Sequence, residues 1–468
     1  MSVENTHFGA EVIGTMLKDA KSIFFIGIGG ISMSALAELS AYEGYRVGGS
    51  DRSSTALTAA LENKGICVYV GHDAGHLCGY DAVIYTVAIG SDNPEYREAL
   101  RLGLPLISRA DYLGYLMSRF QTRVGVAGMH GKSTCTAMCA SIFTAFDGDP
   151  TILCGAELPC LGNSTCRIGK AREHFVFEAC EYMDSFLDFT PTLAVILNVG
   201  LDHVDYFQSM EQIRASFLAY ARRTGKDGCV LYNADDAETR LSLDTFEGKR
   251  VGFGLCAEAE FTAVNIVTRD GATAFDFCRN GELLCRLTLR VTGKHNLYNA
   301  LAAASAATLC GIPTQVIAKG LADFAGAHRR MERKGRLPGG AVVYDDYGHH
   351  PDEIKATLAG AREMGFSRVL CAYQPHTYSR TAGLWEEFAT AFGAADRVLF
   401  ADIYAAREQN VYGVSSQMLA ERIGEQAVYC GSFASLAKTI EQEAKEGDLV
   451  IVMGAGDVYK VFDLLDLK

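Results

Sequence analysis

Two segments of this chain run from a short apolar strand through a glycine turn into a helix, and nothing else in it constrains the fold as much. In the first, residues 22–29 (SIFFIGIG) form a strand entering Gly27, Gly29 and Gly30. The stretch that follows places Met33, Leu36, Ala37 and Leu39 at helical spacing. A second strand, YRVGGSD, ends at Asp51. Strand, glycine turn, helix, strand and acid make up the βαβ unit of a dinucleotide-type fold. The third fingerprint position is Ser32 instead of glycine, so the pattern is incomplete. It is compatible with a nicotinamide dinucleotide, and equally with another diphosphate held by the free N–H groups and dipole of the helix N-terminus. A tight turn without a ligand is the remaining reading.

The second segment starts at Arg123. VGVAG is the strand, Gly128-Met129-His130-Gly131-Lys132-Ser133 the turn, and STCTAMCASIFTAF the helix. This is a shortened P-loop, with Val126 where the strict pattern has its first glycine. Backbone N–H groups and Lys132 would cradle β- and γ-phosphates, and the Ser133 hydroxyl would help hold Mg²⁺. Two further apolar strands end in acids. FVFEACE carries Glu178 and Glu181, and LAVILNVGLDHVD carries Asp202, His203 and Asp205. In an open α/β sheet the ligand crevice lies at the carboxyl ends of strands, so these groups are expected beside the phosphate loop as Mg²⁺ ligands. For His203, ligation and a structural hydrogen bond are both open. Cys180, between the two glutamates, is expected to pack.

From about residue 327 a third block alternates strands (AVVYDD, RVLCAYQ, RVLFADIY, DLVIVMG) with amphipathic stretches, which implies a mostly parallel sheet. The junction FAGAHRRMERKGRLPGG is basic and glycine-rich and reads as a hinge. Polar clusters at two strand ends, residues 345–350 (DDYGHH) and 374–380 (QPHTYSR), point to a site in this block.

Length agrees with this division, since 468 residues suggest about three domains at roughly 150 each. With 49% hydrophobic residues and only 9 prolines, a disordered or collagen-like chain is excluded. A net charge of -13 argues against a general nucleic-acid binder. The 15 cysteines are scattered without CxxC pairs, so reduced thiols acting as small hydrophobes are expected, not a disulfide framework or zinc site. No apolar run reaches the ~20 residues of a membrane span and no signal peptide is evident, so a soluble cytoplasmic protein without a membrane partner is expected.

Taken together, the motifs resemble the Mur ligase family, and within it the branch that adds L-alanine to UDP-N-acetylmuramate. GIGGISMSALAE is similar to that branch's GIGG-x-x-MS-x-LAE loop, GMHGKST to GTHGKT, and EACE and LDHVDYF to its acidic strand end and DHxD motif. Asn233-Ala234-Asp235-Asp236, and Gly293 to Asn299, resemble N-x-DD and G-x-HN-x-x-N. HRRMERKG resembles RRFE-x-x-G, DDYGHHP matches outright, and QPHTYSRT nearly matches QPHRYSRT. The resemblance implies an α/β fold of three domains. These are an N-terminal Rossmann-like domain over 1–119 for the UDP-sugar, a central P-loop ATPase-like domain over 120–326 for MgATP, and a C-terminal Rossmann-like domain over 327–468 for the amino acid. It implies ATP-dependent amide formation through an acyl phosphate.

The same resemblance assigns site residues. Gly128, His130, Gly131, Lys132, Ser133, Thr134, Asn296, Arg330 and Asp346 would bind ATP, with Asn296 on the adenine side, Asp346 on the ribose and Arg330 on the γ-phosphate. Ser133, Glu178 and His203 would hold Mg²⁺. Gly27, Gly29, Gly30, Ser32, Ser50, Asp51 and His72 would bind the UDP-sugar. His349, His376 and Arg380 would line the amino-acid side and, with Lys132, Glu178, His203 and Arg330, form the catalytic set. Departures from the family pattern are Met129 for Thr, Cys180, Tyr182 and Met183 in the acidic run, and Thr377 for an Arg of the carboxylate clamp. The stretch SMEQIRASFLAYARR has no lysine before Lys226, as in the alanine-adding branch, which lacks the carboxylated lysine of its relatives. A murein-peptide ligase of the same architecture is the nearest alternative. A nucleotide-binding regulator without activity and a nicotinamide-dependent oxidoreductase are more distant ones.

Overall fold

Each glycine turn leaves a parallel sheet, as the patterns predict. The structure, a computed structural model, describes residues 3–146, 148–203, 206–269, 272–291, 293–406 and 408–468. The first sheet has five parallel strands in the spatial order Cys67–Val70, Arg46–Asp51, Ser22–Ile26, Ala82–Tyr85 and Leu106–Ser108. Ser22–Ile26 is buried along its whole length because helices cover both faces of a parallel sheet. Strand order reverses beside it, which opens a crevice at the ends of Ser22–Ile26 and Ala82–Tyr85. Gly27 sits in that crevice in left-handed geometry: its φ is 85°, and a Cβ there would lie 2.6 Å from Thr86 Cγ2.

The second sheet has ten strands. Its parallel centre runs Cys229–Asn233, Leu193–Ile196, Thr122–Ala127, His174–Glu178 and Thr151–Leu158. Lys249–Gly254 and Phe261–Arg269 continue it on one side, followed by the antiparallel strands Ala272–Arg279 and Glu282–Leu289. Ser164–Arg167 closes the other edge, also antiparallel. The third sheet runs Glu332–Arg336, Val342–Asp346, Asp448–Met453, Arg368–Tyr373, Arg397–Ala401 and Ala427–Gly431, parallel except for its first strand. That first strand corrects the reading of the basic junction as hinge throughout. Residues 332–336 pair with Val342–Asp346, and residues 337–340 form the turn between the two strands, so the part before residue 332 is what remains of the junction as irregular connection.

The helix behind the phosphate loop, Lys132–Ala145, is buried continuously from Cys135 to Phe143. It packs against Lys294–Leu309, whose AAASAA run lets two helices approach closely, and against Thr314–Asp323. A Cβ at Gly320 would lie 2.5 Å from the Ile142 Cα, and Ser141 Oγ donates to the Gly320 carbonyl at 2.6 Å. This three-helix contact holds the phosphate loop rigid from behind. All fifteen cysteines are free, with Cys135, Cys139 and Cys371 among the fully buried ones. No helix among the described residues is long and apolar enough to cross a membrane.

His174 is a core histidine against Phe143 and Phe146, with no hydrogen bond at either ring nitrogen among the described residues. Burial pushes its pKa down; Glu173, 3.7 Å from Nε2, is the charged group that opposes this. The folded value therefore lies below the unfolded one. Stability is complete above the unfolded pKa of about 6.5 and is lost as pH falls below it. Thermal midpoints of the wild type and His174→Phe, measured at pH 8 and pH 5.5, should diverge at the lower pH, with the wild type losing more. Parallel shifts would remove His174 from the acid response.

Candidate active site

Three ion pairs define the site, each joining a cation to a buried acid. Lys132 begins the phosphate-loop helix, and its Nζ lies 2.9 Å from Glu181 Oε2 and donates to the Gly128 and Met129 carbonyls. Burial alone would push the Lys132 ammonium down, but Glu181 outweighs it and holds the pKa above its usual range. Burial likewise works against the Glu181 charge, and Lys132 and His203 together hold that carboxylate low. Gly131, before the lysine, is left-handed at φ 84°, and a Cβ there would meet Asn299 Oδ1 at 2.5 Å. The loop can close on the Lys294–Leu309 helix only with glycine at that position.

The acidic strand end splits in two. Glu178 is the last residue of its strand, and its Oε2 accepts from Ser133 Oγ at 3.1 Å. Glu181 lies beyond the strand, at the start of a tight 3₁₀ segment, with Oε1 3.3 Å from His203 Nε2. His203 (φ 51°), Met183 (φ 52°) and Asp184 (φ 54°) are all left-handed, so backbone strain concentrates around these acids. Asp205, expected in the same group, lies outside the described residues. Cys180 is half-buried, and burial and Glu181 push its thiol pKa up, against Lys132 and Arg109.

The second ion pair comes from the third sheet. Arg330 stands between Arg329 (φ 56°) and Met331 (φ 48°), its guanidinium 5.1 Å above the Tyr347 ring and 3.8 Å from Glu353. Glu353, in the first turn of helix Pro351–Arg362, also meets His130 of the phosphate loop at 3.6 Å and His349 at 3.3 Å. Burial opposes the Glu353 charge, but His349, His130 and Arg330 outweigh it and hold the carboxyl well below the usual range.

The third pair is Arg380–Asp202, at 3.2 Å across the two sheets. Asp202 is buried, and Arg380 and His203 overcome that burial to keep it ionised. His376 Nδ1 is 3.2 Å from Arg380, and its ring stacks on Tyr404 and meets His349 edge-on. Burial lowers His376 to about 4 and His349 to about 3, so both are neutral at physiological pH. Thr377 spends its hydroxyl accepting from the Arg380 backbone N–H, capping the following helix at φ 64°.

Beside these pairs lies a cleft of about 280 Å³ lined by His130, Gly131, Thr134, Asn296, Arg330 and Asp346, among others. Asp346 already accepts the Met331 and Gly348 N–H groups at 2.9 Å each. The residues expected on the first sheet form a separate cleft of about 410 Å³, lined by Gly27, Gly30, Asp51 and His72. Gly29 instead donates its N–H to Asp51 Oδ2 at 2.9 Å, bracing the turn. Ser50 is not on this wall. It is fully buried, donating to Glu95 at 2.6 Å, and Glu95 also holds His72 and His76 at 2.8 Å. Ser32 accepts from Arg109, whose charge burial opposes and Cys180 and Asp188 support.

Three family models match the chain in order. They describe the Mur ligase family catalytic domain over residues 22–121, the Mur ligase middle domain over 126–307, and the Mur ligase glutamate ligase domain over 329–456. The chain belongs to the Mur ligase family. Among Mur ligases it is 44% identical to the UDP-N-acetylmuramate–L-alanine ligase of Clostridium novyi, covering 96% of this chain and 98% of that one. The enzyme of the same name from Acetivibrio thermocellus is 43% identical, covering 95% of both. A solved UDP-N-acetylmuramate–alanine ligase from Thermotoga maritima superposes with a TM-score of 0.80 at 29% identity, over 95% of this chain and 97% of that one. A murein peptide ligase from Psychrobacter arcticus shares the fold, with a TM-score of 0.72 at 23% identity over 95% and 98%.

Within this Mur ligase, sequence reasoning overlooked Glu353, Arg109 and Glu95. Glu353 is the second of two acids that follow the quoted DDYGHHP motif, a signal that could have been used. Arg109 and Glu95 lie outside every motif, and only the packing reveals them.

Proposed function

We propose that this Mur ligase joins L-alanine to UDP-N-acetylmuramate with cleavage of ATP to ADP and phosphate. The observation that supports this best is the meeting, at one place, of the phosphate-loop Lys132, the Glu178/Glu181 acids with His203, and Arg330 and Arg380 from the third sheet. The 40–44% identity to ligases of that name over nearly the whole chain supports the substrate pair. A carboxylate does not react with an amine at neutral pH because its leaving group is poor. Transfer of the ATP γ-phosphoryl group to a carboxylate oxygen forms an acyl phosphate and releases ADP. The amine then attacks the carbonyl carbon, and phosphate leaves. Both steps place negative charge on non-bridging oxygens, so cations aimed there lower the barrier.

The donor set of Ser133, Glu178 and His203, with Glu181 beside it, offers oxygens and one nitrogen at the phosphate loop and fits Mg²⁺. Bound there, Mg²⁺ would neutralise phosphate charge as the phosphoryl group moves. Without nucleotide, each cation is matched by an acid, which keeps the buried charges compensated. On ATP binding, Lys132 exchanges Glu181 for the β- and γ-phosphates. Arg330 exchanges Glu353 for the γ-phosphate, and the cleft beside it takes the nucleoside against Asn296 and Asp346. Arg380 exchanges Asp202 for the alanine carboxylate. Neutral His349 and His376 flank that position as uncharged hydrogen-bonding groups. The separate cleft on the first sheet takes the UDP portion at Gly27, Gly30, Asp51 and His72. These domain boundaries and roles fit a protein that meets only small molecules in the cytoplasm.

An ADP-release assay offering L-alanine, L-serine, glycine and a tripeptide, with and without Mg²⁺, tests the proposal. L-Alanine should be preferred and omission of Mg²⁺ should silence the reaction. A preference for the tripeptide would assign the chain to the murein-peptide branch. Because Thr377 replaces one arginine, Arg380 carries the carboxylate contact without a second guanidinium from this motif. Arg380→Ala should raise the KM for alanine by about 10-fold or more, with a smaller change in the KM for ATP. An unchanged alanine KM would take Arg380 out of the carboxylate contact.

A further inference from the structure

His350 stands directly before helix Pro351–Arg362 as its N-cap, and its Nδ1 accepts the Asp352 backbone N–H at 3.2 Å. A ring nitrogen that accepts carries no proton, so the proton of the neutral imidazole is on Nε2. That Nε2 is buried without a hydrogen-bond partner among the described residues, in a residue only 4% exposed. The backbone N–H of His350 is tied to Glu353 at 3.3 Å, so the ring is anchored at both ends of a capping box. Its centroid lies 4.8 Å from that of His130 in the phosphate loop, and the charge of Asp202 also reaches it. An oriented donor without an acceptor among the described residues therefore sits beside the phosphate loop.

His130, His350 and Asp352 bring potential ligand atoms within 4.8 Å of one another, which could suggest a cation. Coordination through Nε2 would require moving the ring proton to Nδ1, where it would face the Asp352 N–H. The cap thus selects an acceptor at Nε2, and an anionic oxygen is the acceptor this place receives during turnover. We propose that His350 donates a hydrogen bond through Nε2 to a non-bridging oxygen of the transferred phosphoryl group, first on ATP and then on the acyl phosphate. This rests on the reading of the site as an ATP-dependent ligase. His350 adds no charge; it supplies a fixed dipole.

The test uses His350→Asn in the full-length enzyme. Asparagine is a good N-cap, so it keeps the helix start and removes the Nε2–H donor. The expected result is a kcat lower by about 100-fold, a KM for ATP within about threefold, and an unchanged thermal midpoint. A purely structural cap predicts wild-type kcat with the asparagine, and a kcat within threefold of wild type would overturn the proposal. Should the asparagine variant melt early, His350→Ser, another cap former, is judged by the same criterion. The wild type runs in parallel with the full substrate panel. Absence of ADP release there counts against the ligase reading, whereas an active wild type with an equally active variant counts against the role of His350 alone.

Discussion

Lys132→Ala should lower ADP release by about 10³-fold or more while UDP-sugar affinity stays within about threefold. The two halves of this expectation come from separate places in the fold. Lys132 lies in the phosphate loop of the ten-stranded sheet, whereas Gly27, Gly30, Asp51 and His72 line a cleft on the five-stranded one. Turnover would be measured by ADP release and UDP-sugar binding by calorimetry. Equal loss of both would contradict the division of labour. Stability should fall as well, because the fully buried Glu181 then keeps His203 as its one side-chain partner among the described residues. Removing one member of a buried pair costs about 3–5 kcal/mol. The double variant Lys132→Ala/Glu181→Gln should recover much of that stability and none of the turnover. A double variant that regained activity would mean that Lys132 serves Glu181 and not the phosphates.

The parallel sheets and the phosphate loop were legible in the sequence because both depend on local signals. Apolar strands, glycines at left-handed positions and a lysine at a helix start announce themselves within a dozen residues. The antiparallel strands Ala272–Arg279 and Glu282–Leu289 were missed. Asn280-Gly281 between them, at φ 50° and 81°, is a two-residue hairpin turn that could have been used, but their half-exposed faces leave no continuous apolar run. The strand Glu332–Arg336 was hidden for a related reason. Its sequence ERKGR is charged, as suits an edge strand, and a charge run reads as solvated chain. At the site, the cations and acids were each identifiable from motifs, but their pairing was not. That Arg380 meets Asp202 and Arg330 meets Glu353 depends on how the second and third sheets face each other, and no spacing within the chain encodes it.

Arg330 carries the other large expected effect. Its position is over-determined: left-handed residues on both sides, the Tyr347 ring beneath the guanidinium, and Glu353 at 3.8 Å. Burial alone would lower its pKa, but Glu353, Asp346 and Glu178 outweigh that, so the group stays charged throughout. Strain of this kind persists only where the surroundings fix it, and here it aims one cation from the third sheet at the phosphate loop. Arg330→Ala should therefore lower kcat by about 10³-fold, and Arg330→Lys by about 10²-fold. Lysine keeps the charge but loses the planar group that lies over Tyr347 and forks toward phosphate oxygens. Loss of the tyrosine ring should give a smaller loss of the same kind, because the guanidinium keeps its charge and fork but not its platform. Tyr347→Ala is accordingly expected to lower kcat by about 10-fold or more, while Tyr347→Phe, which keeps the π face, should stay near wild type. Single-turnover ADP formation, measured with thermal midpoints for each variant, separates these outcomes. An Arg330→Ala enzyme with kcat within tenfold of wild type would place the arginine outside the phosphate contact and leave it as a partner for Glu353 only.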